Sequence, residues 1–270
     1  MSSRDESRYR TRAIRGTRFF TSRRAYDDLT LVVKRFPGSE ETGISFVMVH
    51  GIGVSSRYFH PIAVELARLG TVWLVDLPGY GSAPDPRREV TIGDHATLLG
   101  RFLAEADLRN PVIVGHSMGS QVVSRLAVDF PDVADRIVLM SPTMRPDLST
   151  APRAVARLVI DGLREPWAVR WVAVGDYLFR CGLPYLARQL PHMFADRIED
   201  RLAELTARTL VLVGDRDPIV GVEWARELAA CVPGSTFGVV TGPHAIMYTD
   251  PVGVASRIAE HAGAREERSR

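Results

Sequence analysis

Apolar runs of strand length recur along the chain, with helical segments between them. Six stand out: Ile44–His50 (ISFVMVH), Thr71–Asp76 (TVWLVD), Pro111–His116 (PVIVGH), Arg136–Ser141 (RIVLMS), Thr209–Gly214 (TLVLVG) and Thr236–Thr241 (TFGVVT). They are continuous and rich in Val, Ile and Leu rather than alternating. Strands read this way when helices cover both faces of a parallel sheet. Between them apolar positions fall at helical spacing, as in Arg57–Leu69 with Phe59, Ile62, Ala63 and Leu66. Thr91–Ala106, Met118–Phe130, Val222–Cys231 and Pro251–Ala262 repeat the pattern. Alternating strand and helix predicts an α/β fold with a doubly wound, mostly parallel sheet. Two earlier runs, Thr17–Ser22 and Leu29–Phe36, predict antiparallel strands at one edge.

The alternation stops between Pro142 and Thr206, where helical patterns continue without a buried strand and prolines recur at 146, 152, 166, 184 and 191. An insertion of this length between two sheet strands predicts a helical cap over the C-terminal edge of the sheet, where open α/β sheets bind ligands. The chain therefore divides into an arginine-rich, partly disordered arm over 1–27, a core over 28–141 and 207–263, a cap over 142–206 and a charged tail over 264–270.

Composition narrows the class. At 270 residues and 46% hydrophobic, the chain can bury one sizeable core. No apolar run reaches the roughly 18–20 residues of a membrane helix, and the polar start MSSRDESRYRTRAIRGTR lacks the apolar stretch of a secretory signal. A cytoplasmic protein without a membrane span is the expectation. Basic charge is carried almost wholly by arginine, Lys34 being the only lysine, and much of it lies in the arm. No nucleic-acid module follows that arm, so no nucleic-acid partner is expected. Cys181 and Cys231 are isolated, with no metal-binding or redox spacing, and are expected to be reduced. No cofactor or metal is called for. The expected partner is a small-molecule substrate, and a homodimer is left open.

The strongest chemical signal is Gly115-His116-Ser117-Met118-Gly119, which follows a buried strand and opens an amphipathic helix. That is the context a G-x-S-x-G nucleophile elbow requires. A serine hydroxyl needs a base within reach. Of seven histidines, His244 is placed for that role, in the loop after the last strand. His116 is expected to pack under the elbow and His50 to order its loop. The base needs a carboxylate to fix its tautomer. Asp217 and Asp215 both lie in the loop Gly214-Asp215-Arg216-Asp217-Pro218. Asp217 is favoured because it lies further out, while Asp215 is expected to cap or pair locally with Arg216. Oxyanion donors are expected from the backbone of Met118 and of Ile52, within His50-Gly51-Ile52-Gly53. Gly53 and the cap aromatics Trp167, Trp171 and Tyr177 are candidates for an apolar substrate pocket. Ser55, Ser56 and Arg57 are expected to start a helix, and Arg145 and Arg153 to be solvated.

With HGIG at 50–53, DLPGYG at 76–81, GHSMG at 115–119, GDRDP at 214–218 and PH at 243–244, the sequence resembles the α/β-hydrolase superfamily from about residue 28 to 262. The resemblance implies an eight-stranded sheet with its second strand antiparallel and the cap inserted after the sixth strand. It also implies Ser117, Asp217 and His244 as a triad in that chain order. A serine stands where haloalkane dehalogenases and epoxide hydrolases carry an aspartate. The run HGIGVSSRYF looks more like carboxylesterases and lactonases. The expected activity is hydrolysis of an ester, lactone or thioester through an acyl-enzyme on Ser117. A C–C bond hydrolase, a lyase or other tailoring enzyme on the same scaffold, and a non-catalytic small-molecule binder, are the alternatives.

Overall fold

The computed structural model describes residues 10–14, 16–39, 43–106, 108, 111–143, 145, 175–176 and 181–263. Its strands are β1 (Arg10–Ile14), β2 (Thr17–Tyr26), β3 (Leu29–Phe36), β4 (Ser45–Val49), β5 (Thr71–Asp76), β6 (Pro111–His116), β7 (Arg136–Met140), β8 (Arg208–Gly214) and β9 (Thr236–Val240). The helices are α1 (His60–Leu66), α2 (Ile92–Glu105), α3 (Met118–Asp129), α4 (Leu183–Ala195), α5 (Val222–Cys231), α6 (Ile246–Thr249) and α7 (Pro251–Ala262), with a 3-10 turn at Ser56–Phe59. All six apolar runs are strands.

The strands form one sheet in the order β1-β2-β3-β5-β4-β6-β7-β8-β9. Pairing from β5 through β9 is parallel, while β1–β2, β2–β3 and β3–β5 are antiparallel. The fold is thus an α/β-hydrolase fold with a mostly parallel sheet. The sheet has nine strands, where the resemblance implied eight. The extra one is β1, whose sequence RTRAI is too charged to read as a buried strand. Among the described residues only β2 flanks it, so it is an edge strand, where charged side chains are tolerated. Residues assigned to the arm thereby become β1 and β2. The antiparallel second strand of the implied sheet is β3, and the long insertion follows β7, the sixth strand once β1 is set aside.

Because side chains alternate across a strand, each apolar run feeds two cores. Val47, Val49, Val75, Ile113 and Val211 pack with α2, α3 and α5 on one face. Phe46, Met48, Leu74, Val114 and Leu212 pack with α1 and α7 on the other. Helix starts follow the sequence. Thr91 and Asp94 form a reciprocal capping box on α2, an arrangement contributing about 1 kcal/mol. Ser55 caps the 3-10 turn, accepting from the N–H of Arg57. The parallel strands end together at the C-terminal edge of the sheet, and the chemistry collects there.

Candidate active site

Strand β6 runs directly into α3 with one residue, Ser117, at the turn. Its backbone stands at φ 54° and ψ −121°, a region costly for a non-glycine residue and found where surrounding structure over-determines it. Here the surroundings are tight. A Cβ on Gly115 would strike the carbonyl of Gly119, and one on Gly119 would strike those of Val49 and His50. The Ser117 N–H donates to the carbonyls of Met140 and Ser141, at 3.1 Å each. Met118 is the first residue of α3, so its N–H has no acceptor within the helix and lies at the positive end of the helix dipole.

Asp217, in the loop after β8, is the carboxylate within reach of His244. The His244 Nδ1 donates to Asp217 Oδ2 at 2.9 Å, and both residues are buried. Asp217 Oδ1 accepts from the N–H groups of Ile219 (2.9 Å) and Val220 (3.1 Å). Burial alone would push this carboxyl up. The charge and hydrogen bond of His244 and the two N–H donors outweigh it and hold Asp217 below the usual carboxylate range. Because a carboxylate only accepts, the proton of the neutral imidazole sits on Nδ1, leaving Nε2 as the basic nitrogen. Asp215 does other work: its Oδ1 accepts from Gly242 N–H at 2.8 Å and lies 3.5 Å from Arg216 Nε.

A chain of hydrogen bonds ties the elbow to the loops on either side. Gly51 N–H donates to the Tyr58 hydroxyl at 2.9 Å, and that hydroxyl lies 2.8 Å from His116 Nδ1. His116 Nε2 meets the backbone carbonyl of His244 at 3.1 Å. A carbonyl only accepts, so Nε2 carries the proton and Nδ1 takes one from Tyr58. Burial, then the neighbouring His244, holds the His116 pKa well below its ordinary value, so the ring is neutral, as this arrangement requires. His50 is likewise buried and neutral. Its Nε2 accepts from Leu77 N–H (3.1 Å) and its Nδ1 donates to the carbonyl of Gly51 (2.8 Å). The His50–Gly53 loop therefore rests against the elbow: a Cβ on Gly51 would lie 3.1 Å from that of Ser117. Ile52 and Gly53 follow, both buried, with Gly53 at φ 76°.

Three groups near this edge escaped the sequence reading. Lys34 Nζ pairs with Asp76 at 2.9 Å, both buried, and also donates to Ser56 Oγ. The signal for it was present, since the only lysine of the chain stands inside the apolar run LTLVVKRF. Tyr58 carried no such signal. Asp176, fully buried, accepts from the N–H and the hydroxyl of Ser55 (2.9 and 2.6 Å) and lies 3.3 Å from Arg57 Nη1. It thereby ties the inserted segment to the residues after the Ile52 loop. Helix α4 adds further ties: Tyr185 donates to the carbonyl of Pro78 at 2.8 Å, and Gln189 to that of Val90 at 3.2 Å. Arg145 is held by Glu227 (3.7 Å) and the ring of Trp224. Trp167, Trp171, Tyr177 and Arg153 lie outside the described residues. Cys181 and Cys231 are free thiols. Among the described residues no helix is long and apolar enough to cross a membrane.

The elbow, the Asp–His pair and the sheet order decide the family. The chain belongs to the α/β-hydrolase family, whose pattern matches residues 46–257. An uncharacterized protein of Mycobacterium tuberculosis is 26% identical over 251 residues, covering 78% of this chain and 72% of its own. Solved structures give the same fold. An esterase from Exiguobacterium antarcticum superposes with TM-score 0.75 at 16% identity, over 91% of this chain and 98% of its own. The enol-lactonase from Burkholderia xenovorans gives 0.76 at 17%, over 89% and 99%.

Proposed function

We propose that the protein is a serine hydrolase that cleaves a carboxylic ester, lactone or thioester of an apolar small molecule through an acyl-enzyme on Ser117. The observation that carries this reading is the His244–Asp217 hydrogen bond of 2.9 Å beside an elbow whose serine sits at positive φ. Asp217 fixes the tautomer of His244, whose Nε2 takes the Ser117 proton as the oxygen attacks the substrate carbonyl. The N–H groups of Ile52 and Met118 receive the oxyanion. His244 returns the proton to the leaving group. It then activates the water that releases the acid from Ser117. An esterase and an enol-lactonase among the structural neighbours support carbonyl chemistry as the class.

The test is turnover of a short p-nitrophenyl ester by Ser117→Ala. Activity is expected to fall by about 10⁴-fold or more while the unfolding midpoint stays near that of the parent. Undiminished turnover in the variant overturns the reading.

A further inference from the structure

Away from the elbow, a cavity of about 990 Å³ lies between the β1–β2 hairpin and the turn that begins α1. Four cationic side chains line it: Arg12, Arg23, Lys34 and Arg57. Among the described lining residues none is acidic. Strand register puts three of them on one side of the sheet. Arg12 faces Phe19, Thr21 faces Lys34, and Arg23 faces Val32 across their ladders. Directly paired residues project from the same side of a sheet, as do residues two apart in one strand. Arg12, Phe19, Thr21, Arg23, Val32 and Lys34 therefore share one face.

The charges on that face are unequally satisfied. Lys34 has Asp76 and Arg57 has Asp176. Arg12 and Arg23 make no ion pair among the described residues and are exposed. His60 lies beside them, its ring 5.9 Å from Phe19 and 6.1 Å from Phe36. Its Nε2 is buried without a hydrogen-bond partner. Burial first, then Lys34 and Arg57, hold its pKa down to about 3 against the opposing pull of Asp76, so the ring stays neutral in this positive field. Beneath the charges lies half-buried Ile14, with Phe19 and Val32, both almost wholly covered, behind it.

We infer that this cavity binds a phosphate monoester, its phosphate between Arg12 and Arg23 and its organic part along Ile14. The planar guanidinium fork donates two parallel hydrogen bonds to a pair of phosphate oxygens. Two arginines that make no ion pair among the described residues suit a dianion better than a single carboxylate. The volume falls within the range of small-molecule sites.

Isothermal titration of the full chain with hexyl phosphate tests this, alongside inorganic phosphate and phosphatidylcholine vesicles containing phosphatidic acid. Hexyl phosphate is expected to bind more tightly than inorganic phosphate. Arg12→Gln/Arg23→Gln should weaken it by about tenfold or more. Arg68→Gln/Arg257→Gln, which removes the same charge elsewhere, should leave it unchanged. Equal weakening by the two double variants would assign binding to net charge and overturn the site, as would no binding of hexyl phosphate at millimolar concentration. Vesicle binding without hexyl phosphate binding would point to a membrane surface and overturn it as well. A thermal melt of each variant checks that the hairpin is still folded. If Arg12→Gln/Arg23→Gln melts early, Arg12→Lys/Arg23→Lys, which keeps the charge but loses the fork, replaces it, with several-fold weakening expected and unchanged affinity overturning the site.

Discussion

Two buried carboxylates at the C-terminal edge of the sheet are built almost alike and are held to opposite ends. Asp76 accepts from the N–H groups of Ser56 (2.8 Å) and Ser82 (3.1 Å) and from Lys34. Asp217 accepts from the N–H groups of Ile219 and Val220 and from His244. Both therefore have two backbone donors and a basic side chain as partner, and both are held below the usual carboxylate range. The difference is the partner. Lys34 holds Asp76 in a buried ion pair of 2.9 Å, and Asp76 in turn holds the loops after β4 and β5 through Ser56 and Ser82. Histidine exchanges its proton near neutrality, so Asp217 is attached to a group that can act. The same carboxylate cradle thus serves as a clamp in one place and, in the proposed mechanism, as the support of a base in the other.

The sharpest way to break this pairing of roles is Asp217→Asn. The amide oxygen stays with the N–H groups of Ile219 and Val220, so its NH2 faces His244 Nδ1, which forces the imidazole proton onto Nε2 and removes the support of the imidazolium. Turnover of an ester substrate is expected to fall by about 10³–10⁴-fold with little change in stability. Asp215→Asn in the same loop is the control and should leave turnover within a few-fold. Comparable losses from the two variants would remove the distinction drawn between the two acids.

Lys34→Met should show the reverse profile. It leaves Asp76 buried with no cation, and breaking such a pair costs about 3–5 kcal/mol. The measurement is urea unfolding. Lys34→Met/Asp76→Leu, which removes the uncompensated charge too, should recover much of the loss. If Lys34→Met instead leaves stability untouched, the clamp is not holding these loops.

Acid separates the groups further. Burial, against the opposing Gln189 bond, holds the His95 pKa down to about 4 from 6.5. Its neutral form is therefore favoured by folding. The contribution is fully present above pH 6.5 and is lost as pH falls toward 4, amounting to about 3 kcal/mol. Burial pushes the Asp76 carboxyl up, but the charge of Lys34 and the hydrogen-bond donors outweigh it and hold it at about 2 against 3.8. Its contribution of about 2 kcal/mol is present above pH 4 and lost between pH 4 and pH 2. Stability against pH should thus fall in two stages. His50, His60 and His116 are also depressed by burial and add to the upper stage, so His95→Gln should reduce that stage by its own share and leave the lower one. Because the His95 Nε2 lies 3.4 Å from Gln189 Oε1 on α4, the upper stage also reports how α4 is held to α2.

What the sequence revealed follows from how each feature is encoded. Buried parallel strands are written as apolar runs, so β4 to β9 were legible nearly to the residue. The elbow was legible because tight backbone crossings demand glycine at 115 and 119. Edge strand β1 was not, because a strand with a single neighbour needs no apolar signature. Choosing between Asp215 and Asp217 was a matter of reach, two residues apart in one loop, and only the hydrogen bonds distinguish them. Asp176 was hidden for another reason: its role comes from a contact 121 residues away, to Ser55, and nothing local marks it.

The smallest effect tests whether the two loops flanking the elbow are coupled. Tyr58 links the Gly51 N–H to His116, which holds the carbonyl of His244. Tyr58→Phe keeps the ring, stacked 4.4 Å from Phe59, and removes only the hydroxyl. Gly51 N–H and His116 Nδ1 then both lose their partner, which costs about 1–2 kcal/mol of stability. If the chain of bonds merely fills space, turnover of the folded variant will match the parent. If it positions the Ile52 donor and the His244 base together, kcat should drop by about tenfold with KM nearly unchanged, because the interactions displaced are ones made to the transition state. Tyr58 would then do for the loops what Asp217 does for the imidazole: it touches no reacting atom, yet fixes the geometry of groups that do.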